Sequence, residues 1–240
     1  MNQAGMQQIR GGENILSIDI GGTLVKAAIL NTDGKLQTEY KKIYTPKPAT
    51  PQLLVDTIIT LVSDFADYDK ISVGFPGYVK DGVIYTCPQL GTPVFAGYDL
   101  TQQLEHKLDK PVRMINDADM QGLGVCSGKG FELVITLGSG LGSALLMNGT
   151  LLPHLELSQH PITKKHIYDS YIGAATLQKI GVVRWNRRVK KMLTVFKTVF
   201  NYDHLYIGGG NADKIDFVLD KNMSVVSNQD GIKGGARLWK

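Results

Sequence analysis

Ile15-Leu16-Ser17-Ile18-Asp19-Ile20-Gly21-Gly22-Thr23 is the stretch on which the fold is decided. A short apolar run leads to a carboxylate, two glycines and a hydroxyl, so it reads as a buried strand ending in a tight turn. Leu24 to Leu30 reads as the returning strand. Asn31-Thr32-Asp33-Gly34 reads as a second hairpin turn, leading into an alternating third strand through Tyr44. The pattern recurs half a chain later: Glu132 to Leu137 as a strand, Gly138-Ser139-Gly140 as its turn, Leu141 to Met147 as the return, and Asn148-Gly149 as the next turn. Two β-meanders, each opened by a glycine-rich turn, predict two related domains with a nucleotide cleft between them.

Working outward, Pro46, Pro48 and Pro51 mark a loop, and Leu53, Leu54, Thr57, Ile58, Leu61, Val62 and Phe65 follow at helical spacing. Ile71 to Phe75 is a strand broken by Pro76-Gly77, and Val112 to Ile115 is an apolar strand before Asn116-Asp117-Ala118-Asp119. Trp185, Val189, Met192, Leu193, Phe196, Val199 and Phe200 form one helical stripe leading to the strand Leu205 to Ile207 and to Gly208-Gly209-Gly210. The predicted division is residues 1–115, with 1–12 a frayed polar tail, and residues 116–230. A C-terminal helix over 231–240, with Gly234-Gly235-Ala236 suited to close packing, would return to the first domain.

The bulk numbers exclude several classes. With 26 basic and 22 acidic residues the net charge is +4, too mild to imply nucleic acid. No apolar run reaches the ~18 residues of a membrane span, and the first twelve residues lack the apolar centre of a signal peptide. Cys87 and Cys126 stand alone, without disulfide or metal spacing, so a reducing, cytoplasmic setting and no zinc site are expected. From His160 to Phe200 the only acid is Asp169, while Arg184, Arg187, Arg188, Lys190 and Lys191 crowd one helix. That face is either simply solvated or a landing place for a polyanion.

Four segments can carry chemistry. In Asp19-Ile20-Gly21-Gly22-Thr23 the glycines let backbone N–H groups approach an anion, Thr23 adds a hydroxyl, and Asp19 can hold Mg²⁺, most simply through water. Gly138-Ser139-Gly140 lies between two strands, which rules out a dinucleotide fingerprint between strand and helix and leaves a second phosphate cradle facing the first. Asp117, at the carboxyl end of a strand, can accept a proton from a substrate hydroxyl, whereas a neighbour such as Asp119 can simply be a helix N-cap. The polar side chains between Leu152 and His160 can grip a polyol by hydrogen bonds. The plain alternative for each segment is structural: a hairpin turn, a cap, a loop.

Together and in order, these segments resemble the ROK family of sugar kinases and repressors, from about Ile15 to Trp239. Asp19 to Thr23 resembles its first phosphate motif and Thr136 to Ser143 its second. Asn116-Asp117-Ala118 resembles the motif with the catalytic aspartate, Gly208-Gly209-Gly210 the glycine stretch near adenosine, and Phe75-Pro76-Gly77 with Asp81-Gly82 the sugar-side loop. The form of the second motif and the short length are most similar to the polyphosphate/ATP glucokinase branch. The family's zinc motif and an N-terminal helix-turn-helix are absent, so neither zinc nor a DNA partner is implied. The E-x-G-H sugar motif departs, standing as Glu156-Leu157-Ser158-Gln159 with His160 one place later, and Pro88-Gln89-Leu90-Gly91 stands where relatives have P-N-L-G.

The resemblance implies an α/β, two-domain actin-like ATPase (ribonuclease H-like) fold with its active site in the cleft. It implies phosphoryl transfer from ATP or polyphosphate, with Mg²⁺, to a hexose hydroxyl, glucose foremost, with Asp117 as the base. Phosphate or nucleotide is expected at Asp19, Gly21, Gly22, Thr23, Lys26, Gly138, Ser139, Gly140, Gly208, Gly209 and Gly210. Sugar is expected at Gly77, Gln89, Asn116, Asp117, Glu156, Gln159 and His160, with Gln159 and His160 as alternative replacements for the motif's histidine. A homodimer is left open. The rival readings are an inactive sugar-binding regulator, suggested by the altered loop, and an actin-like ATPase without a sugar acceptor.

Overall fold

The computed structural model describes residues 13–240; the expected tail over 1–12 lies outside the described residues. Strand β1 (Asn14–Ile20) pairs antiparallel with β2 (Leu24–Asn31), placing Asp19 opposite Lys26, and β2 pairs with β3 (Lys41–Tyr44). Helix α1 (Pro51–Val62) starts at a Thr50 side-chain cap and buries Leu54, Val55, Ile58, Leu61 and Val62, the stripe its spacing predicts. Parallel strands β4 (Lys70–Phe75) and β5 (Val112–Asn116), with helix α2 (Leu100–Leu108) between them in sequence, complete the sheet in the order β3-β2-β1-β4-β5. The predicted third strand is shorter than its alternation suggests. After a bridge between Leu30 and Leu36, Thr38 Oγ1 accepts the Ile29 N–H at 2.9 Å in place of a ladder bond, and regular pairing resumes at Lys41.

The second sheet repeats the plan. Helix α3 (Asp117–Val125) leads to β6 (Phe131–Leu137), β7 (Leu141–Met147) and β8 (Thr150–Leu151) as an antiparallel meander. Helices α4 (Tyr168–Ile172), α5 (Ala174–Ile180) and α6 (Val182–Phe200) precede the parallel strands β9 (His204–Gly208) and β10 (Met223–Val225), giving the order β8-β7-β6-β9-β10. Each sheet has its own apolar core, one around Leu16, Ile18, Phe75 and Phe95, the other around Ile135, Trp185 and Phe196. Helix α6 buries Trp185, Val189, Met192, Leu193 and Phe196 as expected, but Val199 is exposed in its last turn.

Helix α3 lies between the sheets. A side chain at Gly74 would meet Met120, and one at Gly122 would meet Ala144 and Leu146, so glycine on β4 and on α3 itself permits contact with both sheets. The C-terminal segment also differs from the single helix expected over 231–240. Helix α7 (Asn228–Lys233) gives way to a 3₁₀ segment, Gly234–Trp239. Two glycines are poor helix formers. Here they press against α3 and the first sheet, where Ser17 Oγ donates to the Ile232 carbonyl at 2.8 Å and Ser72 Oγ to the Gly235 carbonyl at 2.6 Å.

Candidate active site

A cavity of about 420 Å³ lies where the β1–β2 turn, the β6–β7 turn and the start of α3 converge. Of the predicted residues it is lined by Asp19, Gly21, Gly22, Thr23, Lys26, Gly77, Gln89, Asn116, Asp117, Gly138, Ser139, Gly140, Glu156, Gly209 and Gly210. Gly208, Gln159 and His160 are not among its lining. Gly208 is the last residue of β9 and packs on Gln121, leaving the two following glycines to face the space. His160 is exposed and lies beside the Tyr168 ring, 6.2 Å between centroids, so it does not take over the motif histidine's place. Gln159 is exposed as well, donating to Ser158 Oγ at 2.9 Å. Asp81-Gly82 turns a small hairpin outside the cavity.

The first turn is held by Thr45, whose Oγ1 donates to the Gly21 carbonyl at 2.7 Å and whose N–H donates to the Thr23 carbonyl at 3.0 Å. At its base the cross-strand pair Lys26 and Asp19 meet at 3.0 Å. Burial opposes the Lys26 charge, but Asp19 and Tyr40 outweigh it and raise its pKa. In the second turn the Gly138 carbonyl is held by two neutral donors, the Ala174 N–H and the Asn211 amide, at 3.0 and 3.2 Å. Gly209, at φ +89°, brings the β9 end against the Leu137 backbone, where any Cβ would overlap.

Between the turns, Asn116 rather than Asp119 caps α3. Its Oδ1 accepts the Ala118 and Asp119 N–H groups at 2.8 and 3.2 Å, while its Nδ2 donates to the Gly77 carbonyl at 3.1 Å. The cap therefore fixes both the helix start and the Pro76-Gly77 bend. Asp117 is thereby turned into the cavity. Burial first, then the nearby Asp19, Glu156 and Asp119 charges, push its carboxyl up to about 8.

Asp119 instead pairs with His154, Oδ2 to Nδ1 at 2.9 Å, and the other ring nitrogen faces Glu156 Oε2 at 3.8 Å. Burial disfavours the imidazolium, but these two partners prevail and raise His154 to about 9. Glu156 also accepts Ser158 Oγ at 2.7 Å, and Tyr78 stacks on the imidazole. His154 and Asp169, both lining the cavity, were not singled out from the sequence. For His154 a signal existed: it stands two residues before Glu156 in one short polar loop.

Asp19, at the base of the first glycine turn and lining the cavity, offers a carboxylate that fits a Mg²⁺ ion taking most of its ligands from phosphate and water. Among the described residues no group of three or more His, Cys, Asp or Glu is arranged to hold a metal by itself.

The ROK family model matches residues 15–153 of the chain. Polyphosphate glucokinase of Mycobacterium tuberculosis is 30% identical over 235 residues, covering 91% of this chain and 88% of that protein. Among solved structures, the inorganic polyphosphate/ATP-glucomannokinase from Arthrobacter sp. strain KM superposes with a TM-score of 0.85 at 28% identity, over 95% of this chain and 98% of that one. A glucokinase from Streptomyces griseus, solved with glucose and AMPPNP, superposes with a TM-score of 0.79 at 19% identity over 94% and 98%, which speaks to the shared actin-like architecture.

Proposed function

The chain belongs to the ROK family, and from that premise we propose that it is a hexokinase-type sugar kinase whose acceptor is glucose and whose donor is ATP or inorganic polyphosphate. The observation that carries the reading is the place of Asp117, on a helix start between two glycine turns that line one cavity, where burial and neighbouring carboxylates push its carboxyl up to about 8. A base with a pKa near working pH is well matched to accept a hydroxyl proton, worth about 10²–10⁴-fold.

In this reading the sugar lies against Asp117 and Glu156, with Asn116 and Gly77 shaping the wall, and the attacking hydroxyl gives its proton to an Asp117 carboxylate oxygen. Glu156, held by Ser158 and His154, accepts from the other hydroxyls. The N–H groups of the two turns face the donor phosphates, with Thr23 and Ser139 as added hydroxyls and Gly209-Gly210 toward the nucleoside end. Lys26 supplies positive charge beside them. Mg²⁺, held at Asp19, would neutralise phosphate charge. The halves divided at Asn116, residues 1–115 and 116–230, are read as the two domains that close on the substrates and exclude water. Among the described residues no helix is long and apolar enough to cross a membrane.

The test is a panel of hexoses assayed with ATP and with polyphosphate, following both sugar phosphate and donor consumption. Glucose-dependent formation of glucose 6-phosphate is expected. Sugar binding without turnover would mean a regulator, and donor hydrolysis indifferent to sugar would mean an ATPase.

A further inference from the structure

Asp169 sits in the first turn of α4 and lines the cavity. Its Oδ1 accepts the Leu141 N–H at 2.7 Å, at the point where the second glycine turn becomes β7. Its Oδ2 accepts Gln89 Nε2 at 3.0 Å and Gln159 Nε2 at 3.4 Å. Gln89 comes from the first half of the chain and lies against the first turn: a Cβ on Gly22 would be 3.5 Å from that of Gln89 and 3.5 Å from Ser139 Oγ. One carboxylate thus touches the second turn directly and reaches the first through a single amide.

The fit is close. A Cβ on Gly140 would overlap the Asp169 carboxylate, and one on Gly173 would overlap the Asp169 and Ser139 carbonyls. All three partners are neutral N–H donors. Unlike Asp19, which is paired with Lys26, Asp169 has no cation among these partners, and an uncompensated anion beside a phosphate cradle repels the donor's own oxygens, so this carboxylate is misplaced as a donor ligand. Its contacts suit alignment instead. Gln89, expected to bind sugar, has its amide directed to Asp169.

We propose that Asp169 is a positioning residue for phosphoryl transfer, fixing the Gly138–Leu141 turn and, through Gln89, its spacing from the first turn. The proposal rests on the sugar-kinase reading. Misalignment of donor and acceptor slows the chemical step more than it weakens binding of either substrate.

The test reverses the hydrogen bond. Gln89→Glu sets two carboxylates face to face. In Asp169→Asn the retained Oδ1 still accepts from Leu141, while the new amide turns toward position 89, so the double variant re-forms the bond with donor and acceptor exchanged. Gln89→Glu is expected to lower kcat about tenfold with the sugar KM nearly unchanged, and the double variant to return to within about threefold of wild type. A double variant no faster than Gln89→Glu, or an effect confined to KM, overturns the proposal. Hydrogen exchange needs no turnover: Asp169→Ala should speed exchange at the Leu141 amide in the substrate-free protein, and unchanged exchange also overturns it. Wild-type protein inactive on every sugar, with faster Leu141 exchange in Asp169→Ala, would sink the kinase reading and leave the contact standing.

Discussion

The turns at Gly21–Thr23 and Gly138–Gly140 occupy matching places in the two sheets, yet they are supported by different means. The first is pinned by Thr45 and carries a charge pair, Asp19 with Lys26, at its base. The second is pinned by backbone and amide donors, with Asp169 as its nearest carboxylate and no lysine or arginine among the partners described above. The duplication is therefore one of backbone, and the electrostatics are divided: charge on the first side, alignment on the second. Asp117 stands between them, and it feels Asp19 from one side and Glu156 from the other.

The largest expected effect comes from that shared position. Asp117→Asn should keep the fold and bind glucose but lose about 10²–10⁴-fold in kcat; turnover within threefold of wild type, measured by glucose 6-phosphate release, would take Asp117 out of the mechanism. The division between the turns is broken next. Lys26→Met removes charge from the first turn and should cost about 10²-fold in kcat with either donor, whereas Asn211→Ala, which removes a neutral strut from the second, should cost about tenfold or less. Equal losses would mean that the two sides are not specialised.

The same comparison predicts a pH dependence of stability. Asp117 is raised from 3.8 to about 8 and His154 from 6.5 to about 9, so the folded protein holds both protons more tightly than the unfolded chain does. Their stabilisation is full below the unfolded values and is lost as pH rises through the folded ones. The melting temperature should therefore fall between pH 6.5 and 9, and fall less in Asp117→Asn, because that variant has one proton fewer to lose. A flat wild-type profile would contradict the charge arrangement around α3.

The fold was legible because its deciding signals are local. A strand-turn-strand with two glycines is written in consecutive residues, and it occurs twice. The same holds for the turn residues of the site and for Asp117, which follows its strand directly. What the sequence left open depends on contacts between distant segments. The pairing of His154 with Asp119 joins residues 35 apart, and Asp169 reaches Gln89 across 80. His160 looked plausible because it stands one place beyond a familiar spacing, but the 3₁₀ turn Leu157–Gln159 carries it outward, away from the cavity. The C-terminal helix ends early because its carbonyls are claimed by Ser17 and Ser72, partners more than 160 residues away.

The smallest expected effect concerns the basic face of α6, where the crowding of like charge read from the sequence is partly relieved. Arg188 lies over Tyr171 and donates to its carbonyl, Lys190 lies over Phe217, and Lys197 pairs with Asp220. Arg184, Arg187 and Lys191 are exposed on the same helix. Alanine at Arg187, Arg188 and Lys191 together should lower polyphosphate-driven turnover a few-fold at low salt while ATP-driven turnover holds. An equal effect on both donors, or none, would return this helix to ordinary surface.

The path of the C-terminal segment bears on how the two halves can move. The chain leaves the first sheet at Asn116 and comes back to it through α7 and the 3₁₀ segment after it, where Ile232 and Gly235 are fastened to Ser17 and Ser72. A body attached at one point can swivel in any direction, but one attached at two can only swing about the line that joins them. If the two halves close on their substrates as proposed, these two crossings would serve as the two pins of a door. Cutting the second pin, by removing the residues after Ser227, would take away no residue that lines the cavity, and would free the halves to twist as well as close.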